Sequence, residues 1–340
     1  TGALESYRTV QTTSTCVRFD DDEFDTAGIS GKTVLDREAH FKRRDNSFDR
    51  PTKGQRWCNE NRASILVHST NADDLKKHID SLDTGSWTGI DNGMKWGVAL
   101  LDPALSPVIT KMVDDKVLGE AVRGRPGIYD IAQTQKVIVL MTDGENTLQR
   151  DLKDEFKSGP TRVWFSSDTT TGYDSALGRD RTEFDGYYVL MPDNDASQRW
   201  YVPGSPNTTS DDRYLNEASL PTGAIQQSYI ALYDRFAVED LAKFFFEQSD
   251  KAAFDAHMVA VIDTEFETSI DDRLSAICDQ ATNLGNIEVY TIGFEAPQAG
   301  LDAMKDCATS IGYYYDVDGK DISKAFDSIA GQIAKLRLTQ

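Results

Sequence analysis

Histidine and cysteine are scarce in this sequence, four of each in 340 residues. Cys16, Cys58, Cys278 and Cys307 form no CxxC pair, and His40, His68, His78 and His257 are scattered without ligand spacing. Both facts argue against a zinc site. Basic residues are also in deficit, 36 against 56 acidic ones, for a formal net charge of −20. That balance repels phosphate backbones and anionic lipid headgroups, so nucleic acid is not an expected partner. No apolar run approaches the roughly 20 residues needed to cross a bilayer, and no signal-peptide pattern opens the chain. The first residue is Thr1 rather than methionine, which leaves room for a targeting or anchoring segment upstream. No nucleophile–base pair and no paired carboxylates with a plausible general base stand out, so a metal-dependent hydrolase is the weakest functional class and no enzyme is expected.

What is present is enough apolar material, 39% of residues, to build a real core. Four cysteines allow more than one pairing. The expected one joins Cys16 to Cys58 and Cys278 to Cys307, which would place the chain in an oxidising compartment; reduced buried thiols are the alternative.

Residues 1–60 are polar and weakly periodic and predict an irregular lead-in with one or two strands. ASILVHS (63–69) predicts a short buried strand. Asn71 then caps a short helix with Leu75, Ile79 and Leu82 on its apolar face. Ile90, Met94, Val98 and Leu101 recur at helical spacing, and Asp102-Pro103 ends that helix. KVIVLMT (136–142) predicts a strand buried on both faces, as in the centre of a parallel sheet.

From about residue 148 to 227 the pattern dissolves, interrupted by aromatic islands. So long a stretch is too much for one loop, and it predicts a small insertion with short strands packed on the main domain. Trp164, Tyr187, Trp200 and Tyr201 in it either form a partner surface or pack the insertion down. Regularity returns with a long amphipathic helix over 229–246, a helix through Leu274, Ile277 and Cys278, the strand IEVYTIGF (287–294), a helix around 301–307, the strand GYYYDV (312–317), and a last helix with Ile322, Phe326, Ile329, Ile333 and Leu336 on one stripe. The Phe244–Phe246 triplet reads as core with one ring toward the insertion, and DVDGKD (316–321) as a strand-to-helix turn rather than a calcium loop. Alternating strands and helices predict an α/β fold with a doubly wound parallel sheet. The implied organisation is a lead-in over 1–60, an α/β domain over 61–150 and 226–340, and an insertion over 151–225.

In such sheets ligands gather at the carboxyl ends of the strands. Asp143 stands there, released by Gly144, where its carboxylate either ligates a hard cation or merely caps and turns the chain. Thr88 stands just before a helix. One hydroxyl and one carboxylate above a parallel sheet resemble two parts of a magnesium site.

VIVLMTDGEN resembles the fourth strand and metal-site loop of a von Willebrand factor A domain, and WTGIDNGMKWGVALLDP (87–103) the threonine loop and helix of that fold. With KSGPTRVW, YDRFAVEDLA, AICDQATNLGNIEVYTIGF and the closing CATSIGYYYDVDGKDISKAFDSIAGQIAKLRLTQ, most of residues 60–340 resembles the C-terminal part of the TadG-like proteins of bacterial tight-adherence (Flp) pilus systems. The resemblance implies a Rossmann-type sheet and an adhesion site for Mg²⁺ (or Mn²⁺/Ca²⁺), with Thr88 and Asp143 as ligands and a carboxylate-bearing surface ligand completing the shell. It implies an extracytoplasmic protein of a Gram-negative bacterium, in the periplasm or at the cell surface, anchored through an upstream segment and partnered by other pilus or pseudopilin-like subunits. A scaffold with an incomplete metal site is the structural alternative. The family's Asp-x-Ser-x-Ser is nowhere in the chain, so the remaining ligands and the first central strand are expected upstream of Thr1. The gap beside KVIVLMT is then expected to be filled by an upstream piece, a second polypeptide, or residues 1–60 themselves.

Overall fold

A computed structural model describes residues 10–12, 15–41, 64–82, 88–129, 134–167, 172–175, 178–182, 184–204, 213–246, 251–284 and 287–338. In chain order, β1 (Val17–Arg18) and β2 (Asp36–Arg37) are followed by α1 (Ala72–Ser81), α2 (Ile90–Leu101) and α3 (Ser106–Asp114). Then come β3 (Lys136–Thr142), β4 (Gln149–Leu152), β5 (Pro160–Phe165), β6 (Tyr173–Asp174), β7 (Arg179–Asp180), β8 (Tyr187–Leu190), β9 (Trp200–Val202), β10 (Arg213–Leu215) and β11 (Ile225–Ser228). The chain continues through α4 (Tyr229–Tyr233), α5 (Val238–Leu241), α6 (Lys251–Val261), β12 (Ile262–Glu265), α7 (Glu267–Asn283), β13 (Ile287–Phe294), α8 (Gln298–Cys307), β14 (Tyr314–Val317) and α9 (Ile322–Leu338).

The protein is mixed α/β. A parallel sheet of order β14-β13-β3 has β13 in the middle, with Val289 opposite Ile138 and Thr291 opposite Tyr314. Because side chains alternate along a strand, Ile287 and Val289 face one way and Tyr290 and Ile292 the other. The first face buries against Ile90, Met94 and Val98 of α2, Leu274 and Ile277 of α7 and Met304 of α8. The second buries against Ala325 and Ile329 of α9. The Cys278–Cys307 disulfide joins α7 to α8 with Cα atoms 5.2 Å apart. Cys16 is also disulfide-bonded; Cys58, its expected partner, lies outside the described residues.

β3 differs from its expectation. It is the edge of the sheet among the described residues, and Val139 and Met141 are 40% and 50% exposed. The apolar run encodes a central strand, but pairing requires a neighbour, and the described part of the lead-in does not supply one: β1 and β2 pair with each other. The described residues of the lead-in instead pack into the cores of both sheets. Phe19, Phe24 and Ile29 enter the core beneath α2 and α7, and Lys95 Nζ donates to the Glu23 and Thr26 carbonyls at 2.6 Å each.

The insertion is larger than its composition suggests. A five-stranded antiparallel sheet, order β10-β9-β8-β5-β11, shares its core with Val10, Ala39 and Phe41 and with Leu232, Phe236, Leu241, Phe244, Phe245 and Val261. β12 pairs antiparallel with β4, Ile262 against Leu152, and closes the excursion at its base. The described residues of 229–261 therefore pack with this sheet rather than with the parallel one. The expected long helix over 229–246 is broken after Tyr233, because extended Ala237 sets Val238 N–H onto the His40 carbonyl at 2.8 Å; helix resumes as α5 and a π turn over Ala242–Phe246. Tertiary burial on several sides overrides the periodicity. Phe244 and Phe245 pack on Tyr187 with ring centroids 6.3 and 5.0 Å away, while the Phe246 side chain lies outside the described residues.

Two smaller expectations also change. Residues 64–69 form no strand. Asn71 does cap α1, accepting from Asp73 N–H at 2.9 Å, but Leu75, Ile79 and Leu82 are exposed. DVDGKD is a turn from β14 into α9, with the Asp321 carboxylate bonded to Lys324 at 2.6 Å.

Candidate functional site at the carboxyl end of the parallel sheet

β3 delivers the chain to the carboxyl edge of the sheet and ends at Thr142, whose Oγ1 accepts the Gly144 N–H at 3.1 Å and bends the backbone outward. Asp143 at the apex of that bend is exposed and has no hydrogen bond or ion pair with the described residues. Gly144 is closely approached: a Cβ there would lie 3.0 Å from Thr88 Oγ1, tight enough that the hydroxyl would have to give way. From behind, α8 presses so close that a Cβ on Gly300 would sit 2.2 Å from the Gly144 carbonyl oxygen. The structure thus brings Thr88 and the Asp143 loop together, from segments far apart in sequence.

The juxtaposition is fixed by residues that the sequence pattern did not single out. Thr147 brackets Thr88: its N–H donates to the Thr88 carbonyl at 3.0 Å, and its Oγ1 accepts the Thr88 N–H at 2.9 Å. Buried Asn146 caps α2 by accepting the Ile90 N–H at 2.8 Å, and its amide nitrogen donates to Asp271 Oδ1 at 2.8 Å. Since Gly89 at the helix start has no side chain, this borrowed cap satisfies a donor otherwise left open. Beneath lies a polar layer. Arg273 of α7 reaches Asp91 at 2.9 Å, Asp21 at 2.9 Å and Gln149 at 2.8 Å, and Gln149 Nε2 donates to Asp91 Oδ1 at 2.9 Å. Burial raises the Asp91 pKa, opposed chiefly by Arg273. One sequence signal for Arg273 existed: it occupies a buried position on the stripe Ile270, Leu274, Ile277, Ala281, where an unpaired cation would be costly.

The rest of this end is acidic. Glu145 is exposed beside Asp143. Glu295, just past β13, accepts the Gly319 N–H at 3.0 Å. Asp316, Asp318 and Asp321 line a shallow cleft of about 330 Å³ past β14. Among the described residues, however, no group of three or more histidine, cysteine or carboxylate side chains converges as a metal site would require. Thr88 Oγ1 lies against Gly144, the residue next to Asp143 in the chain.

The aromatic residues of the insertion behave as packing. Tyr187, Trp200 and Tyr201 are buried and unavailable to a partner in this conformation. Trp164, half-buried, packs edge-on against Trp200 at 6.1 Å. The sheet needs apolar cover on both faces, and these rings provide it.

No protein-family model, no curated protein and no solved structure matches the chain.

Proposed function

We propose that this chain is the binding portion of an extracytoplasmic von Willebrand factor A-type protein, acting in assembly or adhesion of a tight-adherence pilus. The observation that carries the reading is the pinning of Thr88 against the Asp143 loop at the carboxyl end of a parallel sheet. Nothing in the packing of the loop requires a carboxylate at Asp143, which leaves that group for an outside contact. The Cys278–Cys307 bond supports an oxidising compartment. In this reading Asp143 and Thr88 contribute oxygens to a Mg²⁺-dependent contact whose other donors come from outside the described residues, with pilus subunits or a carboxylate-bearing surface ligand as partner.

A scaffold role with an incomplete metal site is the second reading. Attachment of bacteria producing the full-length protein separates the two. The adhesive reading expects Asp143→Ala and EDTA each to abolish attachment while the purified chain keeps its circular dichroism. Attachment that needs the protein but ignores both treatments identifies a scaffold. Attachment unchanged when the protein is deleted overturns both.

A further inference from the structure

A cleft of about 390 Å³ opens at the base of the antiparallel sheet, between the start of β5, the end of β11, the first residue of α4 and the last turns of α6. The pairing of β11 with β5 shifts register between Gln226 and Ser228, the kind of irregularity that re-aims side chains beside functional sites. It is held in place by hydrogen bonds. Gln226 Nε2 donates to the Thr161 carbonyl at 2.8 Å, and the Tyr229 N–H donates to the Gly159 carbonyl at 3.0 Å. One wall is aromatic: Phe156 and Tyr229 meet edge-on with ring centroids 5.8 Å apart. Behind them Tyr233 stacks on Tyr229 at 5.9 Å and its hydroxyl donates to the Phe156 carbonyl at 3.1 Å. Buried Val261 adds apolar surface.

The polar side is formed by Arg162 of β5 and His257 of α6. The Arg162 charge is felt by both neighbouring titratable groups. Burial, and then Arg162, push His257 down to about 4; burial raises the Tyr229 phenol, with Arg162 opposing. Among the described residues no carboxylate lines the cleft, although acidic residues outnumber basic ones 56 to 36 in the chain. A lasting cation beside a neutral imidazole, with no carboxylate to cancel it, makes the cleft attractive to an anion. A guanidinium has five N–H donors, so a bond within the protein does not exhaust it.

We propose that this cleft binds a small organic carboxylate, its ring-sized apolar body against Phe156 and Tyr229 and its carboxylate on Arg162 and the His257 ring N–H. The volume is at the lower end of small-molecule sites, which span roughly 300–1,000 Å³, and suits one ring with its acid group. A bound carboxylate also favours the protonated imidazole, so it raises the His257 titration midpoint. Among the described residues, the groups that face His257 across the cleft are Arg162 from β5 and Tyr229 from α4; on its own helix Asp255 is exposed. The inference rests on the cleft itself and stands without the pilus reading.

The test follows the imidazole NMR signals of the four histidines in the disulfide-intact chain during titration with benzoate, benzamide or acetate. The His257 signal is identified by its loss in His257→Asn. Benzoate is expected to move it saturably and to raise its titration midpoint. Benzamide, which lacks the charge, and acetate, which lacks the ring, are each expected to bind about tenfold more weakly. Arg162→Gln is expected to weaken benzoate binding by about tenfold or more, and Arg162→Lys, which keeps the charge, by less. The proposal is overturned if benzoate leaves the His257 signal unmoved, if benzamide or acetate binds equally well, or if Arg162→Gln binds as the unaltered chain does. A benzoate response shared alike by all four histidines would show adsorption to the surface and overturns it too. The comparison of the three ligands uses the unaltered chain, so it decides the matter even where a substitution disturbs folding.

Discussion

Replacing Arg273 with methionine tests whether the polar layer beneath the two loops holds them in place. Arg273 keeps 5% of its side-chain surface and lies 2.9 Å from Asp91, which is fully buried. Its guanidinium also lies 5.0 Å from the centre of the Phe24 ring. At an effective dielectric of about 20 a unit-charge pair at 2.9 Å is worth roughly 6 kcal/mol before desolvation, and burying both charges cancels much of that. Removing only the cation leaves Asp91 enclosed and charged, a loss of about 3–5 kcal/mol. Adding Asp91→Asn removes the stranded charge and keeps an oxygen for Gln149 Nε2, so the double variant is expected to regain about 2 kcal/mol. The pH dependence follows from the raised Asp91 pKa. A carboxyl raised in the folded state contributes stability that is present below its unfolded pKa and lost as pH rises through the folded value. Without Arg273 the folded value rises further, so the penalty of Arg273→Met shrinks on acidification. Urea unfolding at neutral and mildly acid pH measures this, with Trp96, packed on Phe19 at 5.3 Å, as a reporter in the same core. A single-variant loss below about 1 kcal/mol, no rescue by Asp91→Asn, or a penalty that grows on acidification would refute the reasoning.

Three further outcomes follow from packing, cross-linking and burial. Gly300→Ala drives a Cβ into the Gly144 carbonyl and is expected to cost about 1–3 kcal/mol, read as a lower Tm with faster amide exchange around residues 143–147. Cys278→Ser/Cys307→Ser opens a link between residues 29 apart in sequence and is expected to cost about 2–5 kcal/mol, read from the urea midpoint. Glu38 is pushed up to about 8 by burial and then by the Asp151 carboxylate, with Arg18 opposing. Its contribution is therefore full below the ordinary carboxylate range and lost as pH rises through about 8. Glu38→Gln is expected to flatten the decline of Tm over that interval, and an unchanged profile would show that other groups cause it.

The legible parts of the fold were those where local chemistry and tertiary contacts agree. The apolar repeat Ile90, Met94, Val98 and the Asp102-Pro103 stop define α2, and IEVYTIGF is β13 residue for residue. Asn71 caps α1 as its type and position require. Where burial is not set by one helical face, the pattern misleads. Residues 229–246 are apolar on several sides because they fill a core between a sheet and the lead-in, and the helix breaks to fit. KVIVLMT encodes a strand meant for two neighbours, but composition cannot supply the second. At the site, the pattern marked Thr88 before a helix and Asp143 after a strand, and Thr88 does lie against Gly144 of the loop that follows that strand. The supports of that contact were not legible, because Asn146, Thr147, Gln149 and Arg273 act through contacts across 56, 59, 58 and 124 residues of sequence.

The placement of the antiparallel sheet bears on what holds the site. The chain leaves the parallel sheet through the Asp143 loop, enters the excursion through β4, and returns through β12 into α7. Both ends of the excursion are tied to the same polar layer, Gln149 to Asp91 at its start and Arg273 to Asp91 and Gln149 just after its end. The second sheet is therefore rooted beside Thr88 and Asp143 rather than on a remote surface. That makes the polar layer a shared foundation, so that weakening Arg273 should loosen both the Asp143 loop and the base of the excursion. Amide exchange on Arg273→Met can see this directly: faster exchange at residues 143–147 and at the β4–β12 ladder together would show one coupled unit, and faster exchange at only one of them would show that the two are held independently.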